Sequence, residues 1–142
     1  MSPRPTGHTE ACNRADARIR ARQARAFLDT GELVADIDDE LATPNVAAAL
    51  AVLAGIAASD AICCAVLDER PRGQDHRTAA DLLSRVRQPP GARLGRHLGR
   101  LLDIKDGAQY GLTFVTPQRA VAALRQARHL VHASETLLRE AA

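Results

Sequence analysis

The chain has 142 residues, of which 46% are hydrophobic but only 2% aromatic, and its formal net charge is +2 at pH 7. This length suits one domain with a real hydrophobic core. β-Branched and aromatic residues are too few for a sheet protein, so we expect closely packed helices rich in Ala, Leu, Val and Ile. The near absence of aromatic side chains also disfavours a surface that stacks single-stranded bases.

We expect residues 1–8 to form a disordered tail and residues 9–142 to form a single helical-bundle domain. The first helix is predicted over residues 9–42, with Thr9 as its N-cap. Gly31 either kinks this helix or ends a first one, and we favour one long or kinked helix. One face of the helix carries arginines at helical spacing, which we interpret as a solvated face and not as a binding site. These arginines are Arg14, Arg18, Arg22 and Arg25.

A second helix is predicted from Asn45 to about Leu67, after Thr43-Pro44 as cap and first turn. It is apolar nearly all round, which is typical of a helix in the middle of a bundle. Its polar interruption is Ser59-Asp60. A carboxylate there must find a partner or a wet edge, so Asp60 either faces solvent or holds a His or Arg from the next segment.

Pro71 and Gly73 predict a loop over Arg70–Asp75, and His76–Gln88 reads as a third helix that Pro89-Pro90-Gly91 ends. A fourth helix follows from about Ala92 to Lys105, stopped by Asp106-Gly107. A last helix opens at Val115-Thr116-Pro117. The predicted inward residues of these three helices are Ala79, Leu82, Leu83, Val86, Leu94, Leu98, Leu101, Val121, Leu124, Val131 and Leu138.

The three cysteines are Cys12, Cys63 and Cys64. Adjacent cysteines are poorly placed to bridge each other and the count is odd, so we predict three reduced thiols in a cytoplasmic protein. The N-terminus lacks a signal-peptide core, and we find no uncharged 18-residue run with membrane-like hydrophobicity. We therefore expect no membrane partner.

Charge is distributed in blocks along the chain. Residues 26–69 contain nine acids and no Lys or Arg, whereas residues 70–105 contain nine basic residues and three acids. The blocks either pair with each other across helices or across a dimer, or they provide a guanidinium-lined surface for phosphate. His129 and His132 face the same way, but two His ligands are too few for a metal site, so we predict a surface pair, no metal and no cofactor.

His76 and Lys105 each continue an apolar stripe beyond its last aliphatic residue, which places both at the rim of the bundle. With Arg70 and Arg72 beside it, His76 could take a proton from a ribose 2′-hydroxyl while the cations stabilise the charged phosphorane. Asp60 or Asp75 would orient the imidazole. The same groups could bind a phosphate-bearing ligand without any reaction.

Three stretches resemble actinobacterial members of the HEPN superfamily, over about residues 12–139. They are Ser59-Asp60-Ala61, the run RGQDH at residues 72–76, and LDIKDGAQYG at residues 102–111. The resemblance implies an all-α, four- to five-helix up-and-down bundle, usually dimeric. Many members are metal-independent ribonucleases of toxin–antitoxin and phage-defence systems, with an Arg-x4–6-His motif paired across the dimer.

Arg70 and His76, with five residues between them, satisfy that motif, although it falls earlier than the family's usual place, where Lys105 and Tyr110 stand. We therefore expect a HEPN-like ribonuclease, with Arg70, Arg72 and His76 as catalytic residues and with Lys105 and Tyr110 contacting phosphate or ligand. The alternative is a non-catalytic helical module that dimerises and binds a protein partner or a phosphate-bearing ligand. Expected partners are a second copy of the chain, RNA or a nucleotide, and an antitoxin or nucleotidyltransferase.

Overall fold

The structure, a computed structural model, describes residues 8–37, 43–72, 76–109 and 114–140. Within these ranges the chain forms five helices and one antiparallel two-stranded ribbon, so the predicted all-α bundle is confirmed. The elements in chain order are β1 (Thr9–Ala11), α1 (Arg14–Ala35), α2 (Thr43–Leu67), β2 (Glu69–Pro71), α3 (His76–Ser84), α4 (Gly91–Gln109) and α5 (Pro117–Glu140).

Helix α2 is the core of the bundle, as its all-round apolar sequence predicted. It packs against α1, α4 and α5, and its alanines from Ala47 to Ala61 are mostly buried. Gly55 allows the closest approach, because a Cβ at this position would overlap Cδ1 of Leu101 on α4. Small side chains therefore let the neighbouring helices pack tightly around α2, with leucines filling the space between them.

The expectation that no segment is apolar and long enough to cross a membrane is wrong for α2. Its length and composition meet that criterion, although 67% of the relevant window is buried inside the bundle. The core helix of a soluble protein meets the same criterion, so this property is weak support for a membrane span.

The N-terminal boundary of the first helix also differs from the prediction. Residues Thr9–Ala11 form a strand, and α1 begins only after Asn13, whose side chain accepts a hydrogen bond from Asp16 N at 2.9 Å. In turn, Asn13 N donates to Asp16 Oδ2 at 3.0 Å, which completes a capping box. The helix ends at Ala35, and residues 38–42 lie outside the described ranges.

Gly31 lies inside a single long helix, the alternative that we favoured. A Cβ there would stand 3.0 Å from Cδ2 of Leu124 and 3.3 Å from Cβ of Leu50. The glycine therefore allows α1 to approach α2 and α5 closely, which compensates for its poor helix propensity.

The prediction of three reduced thiols is wrong. Cys12 and Cys64 form a disulfide with a Cα–Cα distance of 5.3 Å, and the remaining free cysteine, Cys63, is buried. The bond arises because β1 folds back along the exit of α2 and pairs with β2, Glu10 opposite Arg70. Cys12 N also donates to the Asp68 carbonyl at 3.1 Å. The spacing of the cysteines in the sequence did not indicate that β1 would fold back to the end of α2.

The last three helices keep their predicted order but not all their limits. Helix α3 ends at Ser84, four residues earlier than predicted, and α4 continues through Asp106-Gly107 to Gln109. One glycine costs a helix only about 1 kcal/mol, which does not stop it. Helix α5 begins at Pro117 as predicted, with Arg119 N donating to Thr116 Oγ1 at 3.2 Å.

The buried faces of these helices mostly follow the predicted stripes. The predicted residues of α3, its following turn and α4 are all buried. On α5, Leu124 and Val131 are buried as predicted, whereas Val121 is 50% exposed. The inward face of α5 also contains the smaller buried residues Ala120, Ala123 and Ala127.

Candidate functional site

Asp60, near the end of α2, holds two arginines. Its Oδ2 accepts hydrogen bonds from Nε of Arg20 at 3.0 Å and from Nη1 of Arg70 at 3.3 Å. Of the two alternatives for Asp60, the structure therefore selects the one in which it binds an Arg from the next segment. Arg20, on α1, was not anticipated, because nothing in the sequence indicates which side of α1 passes Asp60.

The carboxylate of Asp60 is 8% exposed as a residue, and burial raises its pKa above the usual value for Asp. The neighbouring guanidinium groups of Arg20 and Arg70 act in the opposite direction. Arg70 also donates from Nε to Glu10 Oε1 at 2.7 Å. Two carboxylates therefore already compensate the charge of Arg70, which leaves mainly its Nη2 donors for a phosphate.

A polar cleft of about 520 Å³ opens beside these groups. Its charged lining consists of two arginines and two acids, so it has no excess of positive charge that would attract a phosphate. The lining residues are Glu10, Ala11, Cys12, Asp16, Ile19, Arg20, Gln23 and Arg70.

The structure describes the other predicted site residues only in part. Arg72 is exposed, and its backbone N donates to the His8 carbonyl at 2.8 Å. His76 is the first residue of α3 and Lys105 is half-buried on α4. The side chain of His76, together with Asp75 and Tyr110, lies outside the described part of the chain. The structure thus brings Arg70 and Asp60 together, and the predicted convergence on His76 stays a prediction.

The basic block of the sequence forms a row of exposed arginines on α4 and on the turn before it. Arg93, Arg96 and Arg100 follow one another at positions i, i+3 and i+7, so they share one face of the helix. Arg85 and Arg87 precede them in the turn. All five side chains are exposed, and none makes an ion pair with another residue in the described ranges.

Within the described residues, the acidic and basic blocks of the sequence pair with each other only in part. Arg70 pairs with Asp60 of the acidic block, but the five arginines from Arg85 to Arg100 are not neutralised by it. On α5, Arg119 joins Arg100 in a shallow depression of about 180 Å³. A guanidinium-lined surface therefore fits the described residues better than pairing of the blocks within one protomer. We name the stripe formed by Arg93, Arg96 and Arg100 the α4 arginine stripe.

His129 and His132 are both exposed, as predicted, and His129 has a further histidine neighbour. His129 of α5 stacks on His97 of α4, with ring centroids 4.5 Å apart and planes 13° from parallel. His97 Nδ1 is hydrogen-bonded to Gln126 Oε1. Partial burial and the neighbouring His97 lower the pKa of His129. Among the residues that the structure describes, no group of three or more His, Cys, Asp or Glu side chains could hold a metal ion.

A second cleft, of about 420 Å³, lies between α1 and α5. It contains three of the four arginines that we interpreted as a solvated face, and Arg139 closes it from α5. The repeated spacing of Arg14, Arg18 and Arg22 was the available sequence signal, but only the packing of α5 beside α1 turns that face into a concave surface. We name it the α1–α5 cleft.

The fold places the protein in the class of all-α helical bundles, here with arginine-rich surfaces. Its sequence matches no protein-family model, and a comparison with curated proteins finds no significant relative. The likeness to HEPN domains therefore continues to depend on the three short stretches described above.

Proposed function

We propose that the protein is a non-catalytic helical module that binds RNA through the α4 arginine stripe. One observation carries the proposal: the arginines of the stripe are exposed and lack carboxylate partners in the described part of the chain. Arginine is the side chain best suited to bind phosphate through paired hydrogen bonds.

The geometry of the stripe suits a phosphate backbone. Arg93 and Arg100 are separated by about 10 Å along the helix axis, at about 1.5 Å per residue. Phosphates of one strand of B-form DNA follow at about 3.4 Å along the duplex axis, and those of A-form RNA follow somewhat more closely, so the stripe spans about three or four of them. No aromatic side chain stands in the stripe, which favours contacts to the phosphate backbone over base stacking.

Binding of a short duplex RNA, measured by fluorescence anisotropy over a range of salt concentrations, tests this proposal. Replacing Arg93, Arg96 and Arg100 together by Gln should weaken binding and reduce the slope of log K against log[salt] by about 2.7, since each phosphate contact contributes about 0.9. The control replaces Arg18, Arg22 and Arg139 by Gln, which removes the same charge from the α1–α5 cleft. Equal losses in both variants, or no binding by the wild type, would reject the proposal.

Ribonuclease activity is a second candidate, favoured by the position of Arg72. Its side chain is exposed four residues before His76, the first residue of α3, and it makes no ion pair with the described residues. We propose that Arg72 would contact the phosphate and His76 would act as general acid or base, whereas Arg70 would organise the site through Asp60. Such an enzyme would fit a toxin or phage-defence system with an antitoxin or nucleotidyltransferase partner.

A single-stranded RNA, whose backbone can reach the in-line geometry that attack by the 2′-hydroxyl requires, is incubated with the protein in EDTA to separate the two candidates. Metal-independent cleavage would leave a 2′,3′-cyclic phosphate, and His76→Ala would slow it by about 10²–10⁴-fold. Intact RNA at high protein concentration, with binding retained, would leave the binding module as the function.

The homodimer and the cytoplasmic location remain proposals. The small residues of α2 that motivated the dimer are buried within one protomer, so a dimer would use exposed apolar side chains such as Leu33 and Val46, which are 70% and 48% exposed.

The Cys12–Cys64 disulfide counts against a reducing cytosol, where such bonds are rare.

A further inference from the structure

We propose that the α1–α5 cleft is a separate binding site for a small organic molecule that carries two or more phosphate charges. The site uses different arginines from the α4 stripe, so it does not depend on the proposed RNA binding. Its volume of about 420 Å³ is within the range of about 300–1,000 Å³ that is usual for small-molecule pockets.

The two helices supply different parts of the cleft. Helix α1 contributes three arginines and an alanine, and α5 contributes an acid, a leucine and an arginine. The lining residues are Arg18, Ala21, Arg22, Arg25, Glu135, Leu138 and Arg139. The side chains of Ala21 and Leu138 give the cleft an apolar part between charged walls.

Within the cleft, the one acid is already engaged. Glu135 accepts from Nε of Arg25 at 2.9 Å and also from Nη2 of the same guanidinium, and this pairing lowers the pKa of Glu135. Arg25 also contacts Asp29 at 3.2 Å. The pair therefore compensates itself and leaves the charges of Arg18, Arg22 and Arg139 uncompensated by any carboxylate in the described residues.

Arg14 adds positive charge at the edge of the cleft. Its Nη2 lies 3.5 Å from the Leu138 carbonyl, and its buried Nε has no hydrogen-bond partner among the described residues. Arg14, Arg18 and Arg22 are spaced at i and i+4, and like charges at this spacing destabilise a helix. A local arrangement that works against stability is expected where a function requires it.

These features define the ligand by its chemistry. Uncompensated guanidinium groups on facing helices can hold phosphate oxygens through paired hydrogen bonds, and their number matches a ligand with two or three negative charges. The apolar surface of Ala21 and Leu138 can cover a carbon body. A nucleoside diphosphate has both parts, whereas inorganic pyrophosphate has only the charges.

Thermal unfolding and calorimetric titration with ADP and with pyrophosphate, at matched ionic strength, test the site. Both ligands should raise the Tm, since a ligand that binds the folded state stabilises it, and ADP should bind more tightly than pyrophosphate. The variant Arg18→Gln/Arg22→Gln/Arg139→Gln should lose these shifts. Without ligand, the Tm of this variant should be no lower than that of the wild type and up to about 1–2 °C higher, because repulsion between the arginines along α1 is relieved.

The control is the variant Arg93→Gln/Arg96→Gln/Arg100→Gln, which should keep the full ADP shift. Shifts no larger than those from NaCl at equal ionic strength, or shifts that persist in the cleft variant, would overturn the site. Equal affinity for ADP and pyrophosphate would overturn the role of the apolar part. The RNA-binding experiment uses the same two variants with their roles as test and control exchanged. Failure of one proposal can therefore be distinguished from failure of the other.

Discussion

Asp60 illustrates how a single buried carboxylate can organise several segments of a chain. It joins α1 and the ribbon to α2 through Arg20 and Arg70, and Arg70 extends the connection to Glu10 on β1. A buried charge needs such partners, because desolvation otherwise penalises the ionised form. Arg70 therefore has a structural role, whatever ligand the neighbouring loop binds.

Replacing Arg20 by Gln should destabilise the protein most at neutral pH. Loss of a hydrogen bond to a charged group in this mostly buried pair should lower the free energy of unfolding by about 1–3 kcal/mol. Burial already raises the pKa of Asp60, and removal of Arg20 raises it further. Asp60 then binds its proton more tightly in the folded state than in the unfolded state. The free energy of unfolding therefore falls as the pH rises from about 3.9, the usual Asp pKa, through the pKa of Asp60 in the folded state.

Urea unfolding at about pH 4 and about pH 7 measures this effect, and the deficit of Arg20→Gln should be smaller at the lower pH. The matched control is Arg128→Gln, which removes an exposed pair with Glu32 and should cost at most about 1 kcal/mol. A deficit for Arg20→Gln that grows as the pH falls would contradict the proposed cause.

Among the secondary-structure elements, glycine has opposite effects on stability at one position in α2 and one in α4. Gly55 of α2 lies under Leu101 of α4, whereas a Cβ at Gly99 of α4 would meet no atom within 4 Å. Helix propensity alone would favour alanine at both positions. Packing reverses that preference only where another helix approaches.

Gly55→Ala should therefore lower the free energy of unfolding by about 1–3 kcal/mol through overpacking. Gly99→Ala should raise it by about 0.5–1 kcal/mol, because alanine loses less backbone entropy in a helix. Chemical denaturation of both variants checks the pair. Stabilisation by Gly55→Ala would show that α2 and α4 are less closely packed than the structure has them.

For the molecule as a whole, the Cys12–Cys64 disulfide closes a long loop. It connects the N-terminal ribbon to the core helix across 52 positions of sequence. In the chain-entropy description, a bond that closes a loop of this length stabilises the folded state by about 4 kcal/mol, because it restricts the unfolded chain.

Protein purified without reductant should show one titratable thiol, that of Cys63, and only after denaturation. Burial raises the pKa of Cys63 to about 12, so it should not react in the folded state. Cys12→Ser should lower the free energy of unfolding by up to about 4 kcal/mol. Reductant should destabilise the wild type but not the variant, and three thiols in the denatured protein would refute the bond.

The sequence by itself determined the fold class and the central position of α2. Composition excluded a sheet protein, and an apolar surface on all sides of one helix allows few arrangements other than a bundle around it. It also determined the cap of α5 and the inward faces of α3 and α4, because capping and helical periodicity depend on residues that are close in sequence.

Only the tertiary structure decided which distant residues meet. The partner of Cys64, the arginines on Asp60 and the concave shape of the α1–α5 cleft all depend on how α1, the ribbon and α5 pack around α2. Charge blocks in the sequence did not reveal that Arg93, Arg96 and Arg100 lack carboxylate partners among the described residues, since pairing is set by which helix faces come together. Contacts between segments far apart in sequence follow from packing, which local patterns do not encode.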